Sequence, residues 1–231
     1  MNNEKYFNFP IQLLEGFMIN ESKSNLNDIL DYAIYENTVK LEHGTELQKT
    51  KDSASFYGLT LGNEKNTFKN GKILYNSIPT SSPKVGLNTS IFWDFYNNEK
   101  TEFDKICLLT FLSIKSIIGL KPYHKATNLY LWSRMDGKVK AIVEVSELSN
   151  EIKKYANEYQ TKKIKTALRN NWGLLYYGRH TRGFYVSFIL TLKQLIFEAE
   201  KRRISTKEKQ YKLQEKEILK DVLEQLKTTR P

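Results

Sequence analysis

Trp172-Gly173-Leu174-Leu175-Tyr176-Tyr177-Gly178, then Arg179-His180-Thr181-Arg182-Gly183, then Phe184-Tyr185-Val186-Ser187-Phe188-Ile189: this stretch decides how the rest of the chain is read. Two runs rich in Tyr, Phe, Leu and Val flank a short, basic, Gly-bounded loop. Aromatic and β-branched residues suit a pleated, half-buried surface, and the loop residues suit a turn, so the pattern predicts a β-hairpin. Leu174 and Tyr176 can face a core with Tyr185 or Phe184 opposite; the pattern leaves both registers open.

Upstream of the hairpin the spacing turns helical. Ile164, Leu168 and Trp172 recur every four residues, which predicts a helix over 161–172 with Thr161 as its N-cap. With that stripe turned inward, Lys162, Lys163, Lys165, Thr166, Arg169 and Asn170 turn, at least in part, toward solvent. Before it, Ser146 is read as the cap of a helix with Leu148, Ile152, Tyr155 and Tyr159 on one face, and Lys138 to Val145 as a short strand. A further helix lies within 127–135 and stops at Asp136-Gly137. Thr101-Glu102-Phe103-Asp104 has the form of a capping box, in which hydroxyl and carboxylate satisfy orphan amides at a helix start. The helix it opens sets Phe103, Cys107, Phe111, Ile114 and Ile118 on one face, and Gly119 is its natural stop. Cys107 therefore falls on the core face, as a structural thiol.

Three helices followed by a basic-tipped hairpin, over residues 101–190, resemble the winged-helix variant of the helix-turn-helix family. Asn170-Asn171-Trp172-Gly173-Leu174-Leu175 resembles the end of a recognition helix running into the first wing strand. The resemblance implies a mainly α fold with a small β-hairpin: a helical N-terminal region, a winged-helix domain and a long C-terminal helix. It also implies double-stranded DNA as partner, as in bacterial or phage transcription regulators and plasmid or phage replication initiators. In that family the helix enters the major groove and the hairpin tip reaches phosphate or the minor groove. The residues it assigns to DNA are Thr161, Lys162, Lys163, Lys165, Thr166, Arg169 and Asn170 on the helix, with Arg179, His180 and Arg182 at the tip. Winged helices also serve as docking domains, so a protein-interaction module whose basic face meets an acidic protein is the alternative.

The charge distribution agrees with a polyanionic partner. The net charge is +10 over 231 residues. Residues 1–100 hold 10 Lys and no Arg against 12 acidic residues, whereas residues 101–231 hold 26 Lys and Arg against 14. Between 151 and 185 there are 8 Lys and Arg against 2 Glu. Lys and Arg neutralise phosphates and release counterions, and Arg, Asn and Thr can also address base edges. A lysine-rich, solvated surface is the competing reading of the same residues.

Nothing in the sequence has the form of an active site. His43, His124 and His180 lie far apart, without Cys or His at ligand spacing, so neither metal nor cofactor is expected. Gly-rich phosphate loops and Gly-x-Ser-x-Gly are absent. Glu144, Glu147 and Glu151 read as dipole-favouring residues around a helix start. Arg134 and Asp136 read as a local ion pair. One cysteine, no cationic and apolar leader and no apolar run of about 18 residues together predict a cytoplasmic protein without a membrane partner.

The remaining segments complete the expected layout. Ser24 to Lys40 places Leu26, Ile29, Leu30, Ala33 and Ile34 on one helical face, with Ser24 as cap and a short helix before it starting near Pro10. Ser55–Leu61 and Lys72–Ile78 suit strands by composition, but their polar surroundings favour a helix pair. Turn formers from Ser77 to Thr89 suggest a boundary, giving 1–85, 90–190 and 191–231 as units. The tail, 191–227, reads as one long helix or two, with Ser205-Thr206-Lys207-Glu208 as a second capping box. Tyr211, Ile218, Val222 and Leu226 leave a narrow stripe there, suited to a homodimeric coiled coil or to packing on the N-terminal half.

Overall fold

Phe7 and Phe9, two residues apart, send one side of an extended segment into the core, and Tyr6–Pro10 forms strand β1. The computed structural model, which describes residues 4–19, 22–178 and 183–228, pairs β1 antiparallel with β2 (Lys84–Asn88). Phe7 lies opposite Leu87 and Phe9 opposite Val85. β2 is built from the end of the turn-rich 77–89 segment. One hydrophobic cluster includes residues from Phe7 through Val186, so apolar packing is continuous across that segment.

Helix α1 (Ser22–Lys40) buries Leu26, Ile29, Leu30, Ala33 and Ile34, as the spacing requires. Ser24 lies inside its first turn and is not its cap. Pro10 closes β1, and only a 3-10 turn, Ile11–Leu14, stands where a short helix was expected. The region 50–77 holds a helix pair joined by a loop at 57–63: α2 (Glu46–Phe56) is capped by Thr45 and α3 (Glu64–Ser77) by Asn63. Gly71 lets α3 close on α1. A Cβ there would collide with the Asp31 carbonyl oxygen and the Tyr35 Cβ.

After α4 (Thr89–Asn97), α5 (Glu102–Ile118) runs through the centre of the molecule. Its capping box is formed: the Asp104 N–H donates to Thr101 Oγ1 at 3.1 Å and the Thr101 N–H to Asp104 Oδ2 at 3.2 Å. Cys107 is buried on its core face, and burial pushes the thiol up to about 11. Strand β3 (His124–Ala126) and α6 (Asn128–Met135) follow.

Residues 138–145 are not a strand. Three of their N–H groups are taken by side chains instead of a ladder. Ile142 N donates to Ser133 Oγ, and Val143 N and Glu144 N donate to Glu147 Oε1, each at 2.9 Å. These two amides, Glu144 first, hold the exposed Glu147 carboxyl below its usual range. Ser146 sits within the 3-10 turn Val145–Glu147 and caps no α-helix. The helix it was expected to open is the single turn α7 (Asn150–Lys153). Helix α8 spans Glu158–Asn171.

Strands β4 (Leu175–Tyr177) and β5 (Phe184–Ser187) form the expected hairpin, and β3 joins it in the order β3-β5-β4. The register sets Tyr176 opposite Val186 and Tyr177 opposite Tyr185. Phe184 and Val186 face the main core, while Tyr185 turns to the other side, against Leu195 and Ala199. The sheet is thus covered on both faces. Its second cover is α9 (Leu192–Thr228), one continuous helix of 37 residues. Ser205 does not restart it; Thr206 Oγ1 donates back to the Arg202 carbonyl at 2.9 Å, inside the helix. Its first turns pack on the sheet, and every residue from Ile204 to Asp221 is exposed.

Candidate nucleic-acid interface

Helix α8 begins one turn earlier than the sequence suggested. Asn157 is its N-cap, accepting from the Gln160 N–H at 2.9 Å, and Glu158 adds an acid to the first turn, where the helix dipole favours it. The signal was present in Asn157-Glu158 and was outweighed by the apolar repeat that starts later. At the other end Gly173, at φ 68°, turns the chain out of the helix into β4. Leu174 N then donates to the Leu168 carbonyl at 3.2 Å. Trp172 packs on Phe111 of α5, ring centroids 4.5 Å apart.

In this frame two of the seven helix residues lie apart from the outer face. Thr161 does not face solvent. It is buried, and its Oγ1 accepts the Trp132 indole N–H at 3.0 Å, bolting α8 to α6. The apolar stripe drew Thr161 inward because it lies three residues before Ile164 on the same face. Lys165 is also drawn in. Its ammonium lies 3.8 Å from the Phe184 ring centroid and 5.5 Å from that of Tyr176, and burial pulls its pKa down to about 8. Lys165 thus clamps the hairpin onto the helix.

The other five are exposed together on the outer side of α8: Lys162, Lys163, Thr166, Arg169 and Asn170. Lys163 is partly tied down, 4.8 Å over the Phe103 ring of α5. The Thr166 hydroxyl is spent on the Lys162 carbonyl at 2.9 Å. Lys162, Arg169 and Asn170 offer their side chains to solvent, with no hydrogen-bond or ion-pair partner among the described residues. Arg179, His180 and Arg182, expected at the hairpin tip, lie outside the described residues.

The hairpin base is braced from behind. Tyr177 donates its hydroxyl to Glu200 of α9 at 2.9 Å, and Tyr123 donates to Glu198 at 2.9 Å. Strand β3, which supports the hairpin from its other edge, escaped sequence reading because His124-Lys125-Ala126 carries no strand composition. The expected Arg134–Asp136 pair does not form. Asp136 takes Lys138 at 2.7 Å and the Ser149 hydroxyl at 2.5 Å, while Arg134 Nη2 donates to the Tyr130 hydroxyl at 2.8 Å. Among the described residues no group of three or more His, Cys, Asp or Glu is placed to hold a metal ion. No helix among them is long and apolar enough to cross a membrane. Comparison with protein-family models, curated proteins and solved structures gives no match to this chain.

Proposed function

We propose that the chain binds double-stranded DNA as a winged-helix protein, with α8 in the major groove and the β4–β5 hairpin along the backbone. The observation that carries this reading is the division of α8 into two faces. Its inner face is locked by Ile164, Leu168 and Thr161, and its outer face presents Lys162, Lys163, Arg169 and Asn170 without an intervening acid. A rigid helix leaves its polar side chains free to be positioned by the ligand, and cations gathered on one face can neutralise phosphates beside a groove. The succession α5, α6, α8 and hairpin supports the same reading. Such a module suits a transcription regulator or the replication initiator of a mobile element.

The test is fluorescence anisotropy with a random-sequence duplex at about 50 and about 200 mM salt, on wild type and Lys162→Ala/Arg169→Ala. Six or more phosphate contacts should weaken wild-type binding about a thousandfold across that range. The variant should bind more weakly, with a log–log salt slope shallower by about 0.9 per phosphate contact removed. No binding at the lower salt would refute the proposal and turn attention to an acidic protein as the partner of this face.

A further inference from the structure

From Ile204 to Asp221 every residue of α9 is exposed, yet the helix carries apolar residues at a constant interval. Phe197, Ile204, Tyr211 and Ile218 are seven apart, and each is more than half exposed. A seven-residue repeat keeps a stripe facing a partner helix as the two supercoil, whereas a straight helix drifts about 20° per heptad. The stripe also lies opposite the docked face. At about 100° per residue, Leu195 and Ala199 sit roughly 160° around the helix from Phe197 on either side, and both are buried beside Tyr185. A second helix along the stripe therefore leaves the docked face of each α9 pointing away from the pair.

We infer that this stripe is covered by a second copy of the chain, α9 against α9, parallel and in register about a two-fold axis. The charges flanking the stripe select the occupant and its direction. Lys207 and Gln214 follow stripe residues by three positions and border it on one side. Glu208 and Glu215 follow by four and border it on the other. In a parallel two-fold pair, each border faces the opposite border of the copy. Lys207 then meets Glu208 of the partner subunit, and Gln214 meets Glu215 of the partner subunit. In an antiparallel pair, like borders meet, and Glu208 would face Glu215 of the partner subunit, a repulsion made twice. With few apolar layers in the seam the dimer is weak and concentration-dependent.

The experiment is sedimentation velocity of the full chain, without DNA, from about 1 to about 300 μM. Wild type should pass from monomer to dimer, and Ile204→Glu/Ile218→Glu should stay monomeric with its helical circular dichroism intact. Lys207→Glu should weaken the dimer on the order of tenfold, and Lys207→Glu/Glu208→Lys should restore it. For direction, Ile218→Cys in a Cys107→Ala background should cross-link to itself on oxidation. A monomer throughout, or a dimer tightened by Glu208→Lys, would overturn the inference. So would cross-linking that requires mixing Ile204→Cys chains with Ile218→Cys chains. Because DNA is absent, failure here leaves the DNA-binding proposal standing as that of a monomer. If both hold, the axis along α9 sets the two α8 helices on opposite sides of it, as a two-fold DNA site demands.

Discussion

Replacing Thr161 by Val separates the structural role of this residue from the contact role that its place in the basic helix suggested. The exchange keeps the branched shape and removes one acceptor. Trp132 Nε1, whose N–H donates to Thr161 Oγ1 at 3.0 Å between two buried side chains, is then left without a partner. An orphaned buried donor costs about 1–3 kcal/mol. In a chain of this size that corresponds to a fall in Tm of roughly 2–4 °C per kcal/mol. Urea unfolding followed by circular dichroism should show this loss for Thr161→Val and a smaller one for Thr161→Ser, which keeps the hydroxyl. A cycle with Trp132→Phe should return a coupling of about 0.5–1.5 kcal/mol. At temperatures where the variant is folded, DNA affinity and its salt slope should match wild type. Wild-type stability in Thr161→Val, or a salt slope shallower by about 0.9, would refute this assignment.

Three further outcomes follow from buried groups. Lys165 has its pKa lowered to about 8, chiefly by burial, against about 10.4 in the unfolded chain. The unfolded state therefore binds more protons between these values, and stability should rise with pH across that window. Relative to Lys165→Met, wild type should gain from pH 8 to 10, and a flat difference would count against the burial of its ammonium. Cys107, its thiol pushed up to about 11, should resist a thiol reagent at pH 7.5 until denaturant is added; rapid labelling of the native chain would contradict its burial. Gly71→Ala should cost about 1–3 kcal/mol or more in urea unfolding, since its Cβ would meet α1 backbone; a neutral effect would mean the α1–α3 contact is looser than described.

What the sequence made legible was local. The Thr101–Asp104 box, the α5 face through Phe111 and Ile114, and the hairpin at 175–187 each rest on contacts between near neighbours in the chain, and each formed. What stayed hidden depended on distant partners. His124-Lys125-Ala126 is a strand only because β5 offers it an edge, and Lys138–Val145 is not one because Ser133 and Glu147 take its amides. The α8 cap was misplaced by four residues for a related reason. A helix can extend beyond its apolar stripe when a good cap lies further out, and Asn157 was such a cap.

The same distinction sorts the basic residues of α8. Periodicity alone counts Lys162, Lys163, Lys165 and Arg169 as equal cations beside an apolar stripe. The fold separates them by what lies across from each. Lys165 meets the aromatic base of the hairpin, Lys163 rests on Phe103, and Lys162 and Arg169 have no side-chain partner among the described residues. A partner's phosphates gain most from cations that give up no protein contact to reach them. The affinity lost on substitution should therefore be larger for Lys162 and Arg169 than for Lys163. Lys165→Met should act through the set of the hairpin against α8, and so alter affinity while leaving the salt slope near wild type. A single-residue series of salt titrations would show that order, and equal slopes lost at all four positions would mean that Lys165 leaves Phe184 when the duplex binds.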